Sequence, residues 1–146
     1  MIEIRRYKVV AYIRISKKEK EVNSISNQKD LIDYYIKDNK DLKIYNYYVD
    51  NGYSGTNFDR PELKRMLKDI SNKKVDIVIF KDLSRLGRNY IEVGELLDSI
   101  LPLYDVKLIS INDNIDGIND EEDSYLLKGL LNIYNEKIYL IKLKQH

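Results

Sequence analysis

The chain has 146 residues, which is the size of one domain. It contains no cysteine and one histidine, His146, and these counts exclude disulfides, cysteine-based zinc sites, thiol catalysis and Ser-His-Asp catalysis within one chain. The 25 basic and 24 acidic residues leave a net charge of +1, whereas a dedicated nucleic-acid binder is usually more basic. Any affinity for DNA must therefore come from local charge or from another domain.

The hydropathy of the chain is that of a folded protein outside the membrane. The hydrophobic fraction of 43% and the charged fraction of 34% argue against disorder. The apolar stretch Val9–Ile13 is ended by Arg14, so it is too short for a signal peptide or a membrane span. We expect an intracellular, cytoplasmic protein with no membrane partner.

The first predicted element is a strand from Tyr7 to Ile15, whose side chains alternate with a period of two. One face carries Tyr7, Val9, Ala11, Ile13 and Ile15, and the other carries Lys8, Val10, Tyr12, Arg14 and Ser16. A helix is predicted next, because Ser24 can cap it and the apolar residues between Ile25 and Ile36 follow helical spacing.

The rest of the chain continues to alternate strands with helices. Strands are predicted at Leu42–Val49, Val75–Phe80 and Val106–Ile111, with a short edge strand near Ile115–Ile118. Helices are predicted from Pro61 to Ile70, from Asn89 to Leu101 and from about Ser124 onward, and Asn51–Phe58 is predicted to be a loop. This order predicts an α/β fold with three αβα layers and a mainly parallel sheet of four to five strands.

In such sheets, functional groups collect beyond the carboxyl ends of the strands. Arg14 and Ser16 end the first strand, Arg60 follows the second, and Arg85 and Arg88 follow the third. Arginines repel one another unless an anion lies among them, and their planar fork matches phosphate oxygens. Because the chain has no glycine-rich phosphate loop and no obvious carboxylate cluster, the pattern predicts metal-free phosphoryl transfer with Ser16 as the nucleophile.

Three of these positions break local helix rules. Arg60 precedes Pro61, where a capping Asn, Asp or Ser is usual. Arg85 and Arg88 are expected at the beginning of a helix, where cations oppose the helix dipole. Broken rules at converging positions are typical of a functional site. Taken singly, each arginine can instead be a solvated surface charge, and Ser16 a turn residue.

Four motifs, in order, resemble those of the serine recombinases of the resolvase and invertase type. They are Tyr12-x-Arg14-x-Ser16, Ser24-Ile25-Ser26-Asn27-Gln28, Asp50-x-Gly52-x-Ser54-Gly55 followed by Asp59-Arg60-Pro61, and Lys81-Asp82-Leu83-Ser84-Arg85-Leu86-Gly87-Arg88-Asn89. They cover about Tyr7 to Asn89. The Ser54-Gly55 loop and the last motif are most similar to the large members of the family, the transposases and integrases of mobile elements.

The resemblance implies a resolvase-like fold and the catalytic domain of a site-specific DNA recombinase. Such enzymes cleave and religate DNA through a phosphoserine intermediate, with no cofactor and no metal. Ser16 matches the nucleophile, and Arg14, Arg85, Arg88 and the mobile-loop Arg60 match the arginines around the scissile phosphate. The accessory polar positions are Tyr12, Gln28, Asp50, Asp76, Asp82 and Ser84. Small resolvases carry aspartate where this chain has Ser84, so a carboxylate general acid is not expected there.

The last predicted helix carries two apolar stripes, one of Leu127, Leu131, Tyr134, Ile138 and Ile141 and one of Leu126, Leu130, Ile133 and Leu140. The stripes form either one wide core-facing surface, or one surface for the domain and one for a partner. The resemblance implies that residues 1–123 form the catalytic domain and that 124–146 begin a long helix that builds homodimers and tetramers. Family members carry a DNA-recognition region beyond this point, which these 146 residues lack, so we expect an inactive fragment of a longer recombinase.

Two other functions are compatible with the same residues. A non-catalytic, flavodoxin-like module for nucleotides or phospho-ligands would use the arginines to hold an anion, and its Ser16 would tolerate replacement by alanine. A fragment that serves dimerisation alone would depend on the final helix and not on the arginines.

Overall fold

The computed structural model describes residues 7–19, 23–39, 41–56, 58–118 and 143–144. Five strands form one sheet: β1 (Val9–Ile15), β2 (Ile44–Asn51), β3 (Ile77–Phe80), β4 (Lys107–Ser110) and β5 (Ile115–Asp116). Their order across the sheet is β2-β1-β3-β4-β5, and every pairing is parallel except that of β4 with β5. The predicted mainly parallel sheet is therefore confirmed, with β2 lying two residues further along the chain than predicted.

The described helices are α1 (Ile25–Ile36), α2 (Pro61–Ser71), α3 (Leu83–Leu86), α4 (Tyr90–Glu95), a π-helical segment (Leu96–Ile100) and α5 (Leu101–Leu103). Ser24 caps α1 by accepting a hydrogen bond from Asn27 N–H at 3.1 Å, and Pro61 begins α2, both as predicted. The sequence did not predict α3, because a helix of four residues is too short to show a helical period.

The alternation of side chains along β1 separates two cores. Val9, Ala11 and Ile13 pack with Ile32 of α1 on one face of the sheet. On the other face, Val10 and Tyr12 belong to a larger core formed with apolar residues of α2, α3, α4 and the π-helical segment, which include Leu63, Met66, Leu83, Leu86, Val93 and Leu96. Helices thus cover both faces, which confirms the three αβα layers.

The predicted helix from Ser124, its apolar stripes and the boundary between 1–123 and 124–146 lie outside the described residues, apart from the helical Leu143 and Lys144. In the described ranges, no helix combines the length and apolar character that crossing a membrane requires.

The two strands beside β1 leave its carboxyl end open on one side. Pairing with β2 continues to Ile15 and Asn51, whereas pairing with β3 stops at Ala11 and Ile79. The boundary between β1 and β3 is also the point at which the strand order reverses, where doubly wound sheets bind their ligands. The last residues of β1 therefore face a crevice, and α3 packs into it.

Candidate active site

Ser16 lies directly after β1, at the mouth of this crevice. Its side chain is half-buried, and its Oγ makes no hydrogen bond with any residue in the described ranges. The backbone N–H of Ser16 donates to Glu19 Oε1 at 3.1 Å, and the Ser16 carbonyl accepts from Glu19 N–H at 3.4 Å. These two bonds close a turn over residues 16–19 and leave the serine hydroxyl available for chemistry.

Arg14, near the end of β1, is fully buried. Its guanidinium donates to three backbone carbonyls: to Arg85 at 3.2 Å, to Ser84 at 2.7 Å and to Tyr53 at 3.1 Å. Burial and the nearby charges of Arg85 and Arg60 lower the pKa of Arg14 to about 10. Arg14 thus remains a cation at neutral pH and joins β1, α3 and the loop after β2.

Arg60 is the N-cap residue of α2, and its side chain makes no capping hydrogen bond. The side chain is 1% exposed and turns into the crevice instead. Nη1 donates to Tyr12 OH at 2.9 Å and to the Arg85 carbonyl at 2.9 Å, and Nη2 donates to the Leu86 carbonyl. Arg60 therefore breaks the capping rule because its donors serve α3.

Arg14 and Arg60 together bind three consecutive carbonyls at the end of α3, those of Ser84, Arg85 and Leu86. Carbonyls in the last turn of a helix lack partners within the helix and carry partial negative charge. The predicted convergence of arginines at the carboxyl edge of the sheet is confirmed. However, these two arginines point at backbone oxygens of α3 and not into a space left for an anion.

The expectation that Arg85 lies at the beginning of a helix and opposes its dipole was wrong. Arg85 lies in the last turn of α3, where a cation is favoured, and Asp82 caps the beginning of that helix. Arg88 lies just before Asn89, which caps α4 by accepting from Ile91 N–H at 3.0 Å. The sequence pattern misled for Arg85 because that residue belongs to the short helix α3, whereas Arg88 does lie at the beginning of α4.

Arg85 connects α3 to the turn after β1. Its Nη1 donates to the Arg14 carbonyl at 2.7 Å and to both carboxylate oxygens of Glu19, at 2.8 and 3.1 Å. Its Nε lies 3.6 Å from Asp82 Oδ1 and, among the described residues, has no hydrogen-bond acceptor. Arg85 therefore holds an anion that also accepts from the Ser16 N–H, and that anion is the carboxylate of the chain's own Glu19.

Glu19 belongs to this cluster, but it was not among the candidate residues chosen from the sequence. Burial acts to raise the pKa of Glu19, but the hydrogen bonds from Arg85 and Ser16 and the charges of Arg85 and Arg14 lower it overall. The signal in the sequence is an acidic residue four positions after the end of a strand, close enough to fold back on the Ser16 N–H. That signal is weak, since Glu19 stands among several lysines in the sequence.

Asp50 and Tyr12 form the base of the cluster. Tyr12 OH donates to Asp50 Oδ2 at 2.7 Å, and the same carboxylate accepts from the N–H groups of Glu62 and Leu63, each at 3.0 Å. Asp50 thus caps α2 in place of Arg60. Burial and the hydrogen bond to Asp50 raise the pKa of Tyr12, so the phenol stays protonated at physiological pH and keeps donating to Asp50.

Two other accessory candidates, Gln28 and Ser84, lie in or beside the buried cluster. Gln28 is buried and donates from Nε2 to the Arg14 carbonyl at 3.0 Å and to the Asn23 carbonyl at 2.7 Å, while its Oε1 has no donor within the described part of the chain. Ser84 Oγ is hydrogen-bonded to Asp82 and accepts from Arg85 Nη2 at 3.2 Å. Asp113, which the candidates omitted, anchors α3 by accepting from Leu83 N–H at 2.9 Å.

Two candidates lie apart from the buried cluster. Arg88 is exposed at the rim of the crevice, and its N–H donates to the Gly55 carbonyl at 2.6 Å. Asp76 lies before β3, at the opposite end of the sheet, where its carboxylate accepts from Lys8 N–H at 2.8 Å. The structure therefore does not bring Asp76 to the site.

Gly55 lets the loop after β2 lie directly on Arg14. A Cβ at this position would stand 2.9 Å from Arg14 Nη2 and 3.1 Å from Arg88 Cγ. Arg14 cannot move aside without losing its bonds to carbonyls, so we expect Gly55→Ala to lower the free energy of unfolding by about 1–3 kcal/mol. Urea unfolding followed by circular dichroism measures this. The exposed neighbour Ser54, replaced by alanine, should change stability by less than about 0.5 kcal/mol. Equal effects of the two variants would contradict the steric argument.

No group of three or more acidic or histidine side chains in the described ranges is placed to hold a metal ion. The positive charge at the site comes from Arg14, Arg60 and Arg85, with Arg88 at the rim. Metal-free chemistry remains a prediction that requires a direct test.

A family model for the resolvase N-terminal domain matches residues 9–137 of the chain. Among solved structures, the N-terminal catalytic domain of TP901-1 integrase is 27% identical, with a TM-score of 0.73 over 90% of this chain and 98% of that one. A resolvase family site-specific recombinase from Streptococcus pneumoniae is 30% identical, with a TM-score of 0.66 over 96% of this chain and 95% of that one.

The C-terminal catalytic domain of ISC1926 TnpA, an IS607-like serine recombinase, has a TM-score of 0.60 over 82% of this chain and 75% of that one. Its sequence is 22% identical, so this likeness bears on the fold alone. No curated protein sequence matches the chain. The matches to the family model and to the solved structures span both the sheet and the arginine cluster.

Proposed function

Because the chain belongs to the resolvase family, we propose that it is the catalytic domain of a site-specific DNA recombinase that cleaves and religates DNA through Ser16. The observation that carries the proposal is the position of Ser16. Its hydroxyl lies at the reversal point of the sheet, and its N–H and Arg85 together hold an anion. Family membership favours this function over a phospho-ligand module or a dimerisation fragment.

The proposed reaction exchanges one phosphate ester for another. Ser16 Oγ attacks the phosphorus of a DNA phosphodiester, an Oγ–P bond forms, and the P–O3′ bond breaks. The serine proton passes to solvent or a neighbouring base, and the leaving 3′ oxygen takes up a proton to become a hydroxyl. Attack by a 3′ hydroxyl on the phosphoserine reverses these steps and rejoins DNA. Since each step exchanges one phosphate ester for another, the reaction needs neither an external energy source nor a redox cofactor.

The arginines take two different parts in this proposal. Arg85 and the exposed Arg88 contact the scissile phosphate, because Arg85 already binds an anion beside Ser16 and Arg88 is accessible to DNA. Arg14 and Arg60 position α3, since their donors are bound to its carbonyls. Guanidinium groups fixed before the reaction stabilise the charge that develops on the transferred phosphoryl group.

The accessory residues hold this arrangement in place. Tyr12 and Asp50 fix Arg60, Gln28 fixes the carbonyl of Arg14, and Asp82 with Ser84 shapes the beginning of α3. DNA is the proposed partner. We also propose that residues 1–123 form the catalytic domain and that the helix from Ser124 joins recombinase subunits into dimers and tetramers.

The proposal predicts a covalent protein–DNA adduct that forms in excess EDTA, because the arginines supply the positive charge that a metal provides elsewhere. The domain is fused to a DNA-recognition region of known specificity, incubated with duplex DNA that carries the matching site, denatured and digested with nuclease. Mass spectrometry should then find a nucleotide on Ser16 in equal yield with and without chelator. Loss of the adduct in EDTA and its return with Mg²⁺ would refute the arginine mechanism. A nucleotide on another residue would refute the assignment of Ser16.

A further inference from the structure

Glu19 occupies a position that an incoming phosphate requires. Its carboxylate accepts from the Ser16 N–H at 3.1 Å and from Arg85 Nη1 at 2.8 and 3.1 Å, and it lies 3.9 Å from Arg14 Nη1. A carboxylate and a phosphate present similar oxygens to a guanidinium fork. The donors that bind Glu19 are therefore suited to bind a phosphate as well.

The other arginine donors of the cluster are already bound elsewhere. Arg14 donates to three carbonyls, and Arg60 donates to two carbonyls and to Tyr12. Arg85 differs, because its Nη1 holds Glu19 and its Nε has no acceptor among the described residues. A reacting phosphorus must come within roughly 3–3.5 Å of Ser16 Oγ. The Ser16 N–H belongs to the same residue as this Oγ, and Arg85 binds the carboxylate that this N–H binds, so both donors lie beside that position.

We infer that the Glu19 carboxylate stands in for the scissile phosphate in the free protein, and that this internal anion must leave before DNA can react at Ser16. The inference rests on the proposed role of Ser16. It assigns a phosphate subsite to the Ser16 N–H and Arg85, and it makes the turn over residues 16–19 an autoinhibitory element. Lys17 and Lys18 of that turn are exposed, so Glu19 can swing outward while β1 stays in the sheet.

The charge of Glu19 makes the two anions mutually exclusive. The hydrogen bonds and neighbouring guanidinium groups that lower its pKa keep it ionised at neutral pH. The Glu19 carboxylate and a phosphate bound to the same Arg85 guanidinium would lie close together and repel each other. A phosphate therefore binds only as Glu19 is displaced, and removing the charge of Glu19 should strengthen phosphate binding.

The test is a titration of the 146-residue chain with inorganic phosphate at constant ionic strength, followed by nuclear magnetic resonance of the Ser16 amide and the Arg85 Nε–H. Glu19→Gln removes the charge and keeps the shape of the side chain. We expect this variant to bind phosphate about tenfold more tightly than the wild type, with both signals shifting. The matched control is Glu95→Gln, which removes the same charge from an exposed helix position and should leave the affinity unchanged.

A second variant guards against loss of folding. Glu19→Asp keeps the charge but shortens the reach toward Arg85, so it should bind phosphate with an affinity between those of the wild type and Glu19→Gln. Equal phosphate affinity in the wild type and in either Glu19 variant would overturn the inference, as would phosphate shifts that leave the Ser16 and Arg85 signals unchanged.

The initial rate of adduct formation separates this role from general base catalysis. If Glu19 occupies the phosphate subsite of the free protein, Glu19→Gln should form the Ser16 adduct faster than the wild type. If Glu19 is instead the general base for Ser16, the Glu19→Gln variant should form the adduct more slowly, and that result would overturn the inference. If phosphate binds Glu19→Gln more tightly and no variant forms an adduct, the subsite stands and the proposed recombinase chemistry fails.

Discussion

Replacing Ser16 by alanine is expected to abolish the covalent DNA adduct, with a loss of at least about a thousandfold in yield. The Oγ supplies the bond to phosphorus, and no other group can form the same ester at that position. The fold should persist, since the Ser16 hydroxyl makes no hydrogen bond within the described residues and the turn is closed by backbone atoms. Denaturing gels measure the adduct, and circular dichroism checks the fold.

The matched control for Ser16 is Ser84, whose hydroxyl contacts Arg85. Ser84 Oγ is bound to Asp82 and Arg85, so Ser84→Ala should retain the adduct, although at a lower rate because it disturbs α3. An adduct that persists in Ser16→Ala and disappears in Ser84→Ala would transfer the role of nucleophile to Ser84. An adduct of normal yield in both variants would place the nucleophile elsewhere in the chain.

Replacing Asp50 by alanine is expected to cause the largest loss of stability, about 3–5 kcal/mol. The change removes the cap of α2 and leaves the buried Tyr12 hydroxyl, which binds Arg60, without its acceptor. Because a domain of this size is stable by roughly 5–15 kcal/mol, the variant should unfold at much lower urea concentration or fail to fold. Urea titration measures the loss.

A second tyrosine–aspartate pair provides the control. Tyr48 OH donates to Asp69 at 2.6 Å, as Tyr12 OH does to Asp50, but Asp69 caps no helix and is only half-buried. Asp69→Ala should therefore cost about 1 kcal/mol. Asp50→Asn, which can keep part of the hydrogen bonding, should fall between the two alanine variants. Similar costs for Asp50→Ala and Asp69→Ala would show that Asp50 does not organise the arginine cluster.

The sequence predicted the layers of the fold because its hydrophobic pattern is strong. The alternation in β1 separates Val10 and Tyr12 from Val9 and Ala11, and these pairs do lie in different cores. The apolar run before Lys81 is a strand buried on both faces, as predicted. The end of β2 was placed too early, because Asp50 and Asn51 look like loop residues although they pair with Arg14 and Ile15.

The candidate site was only partly predictable. Arg14, Arg60 and Arg85 converge as expected, since their positions after parallel strands fix their location. What the sequence could not give is the direction in which their donors point. That direction depends on the carbonyls of α3, and backbone carbonyls have no signature in a sequence. The contact between Glu19 and Arg85, which are 66 residues apart, is invisible for the same reason.

The contacts of Arg14 join parts of the chain that are far apart in sequence, so they cannot form early in synthesis of the protein. Arg14 Nη2 binds a carbonyl that lies 70 residues later in the chain. At about 5–20 residues per second, a ribosome needs roughly 4–14 s to make that stretch. Until then the guanidinium that will be buried has only water to bind, and the end of β1 has no α3 beside it. A nascent chain that already displays Ser16 therefore lacks Arg85, so the proposed phosphate subsite is completed only after α3 has been synthesised.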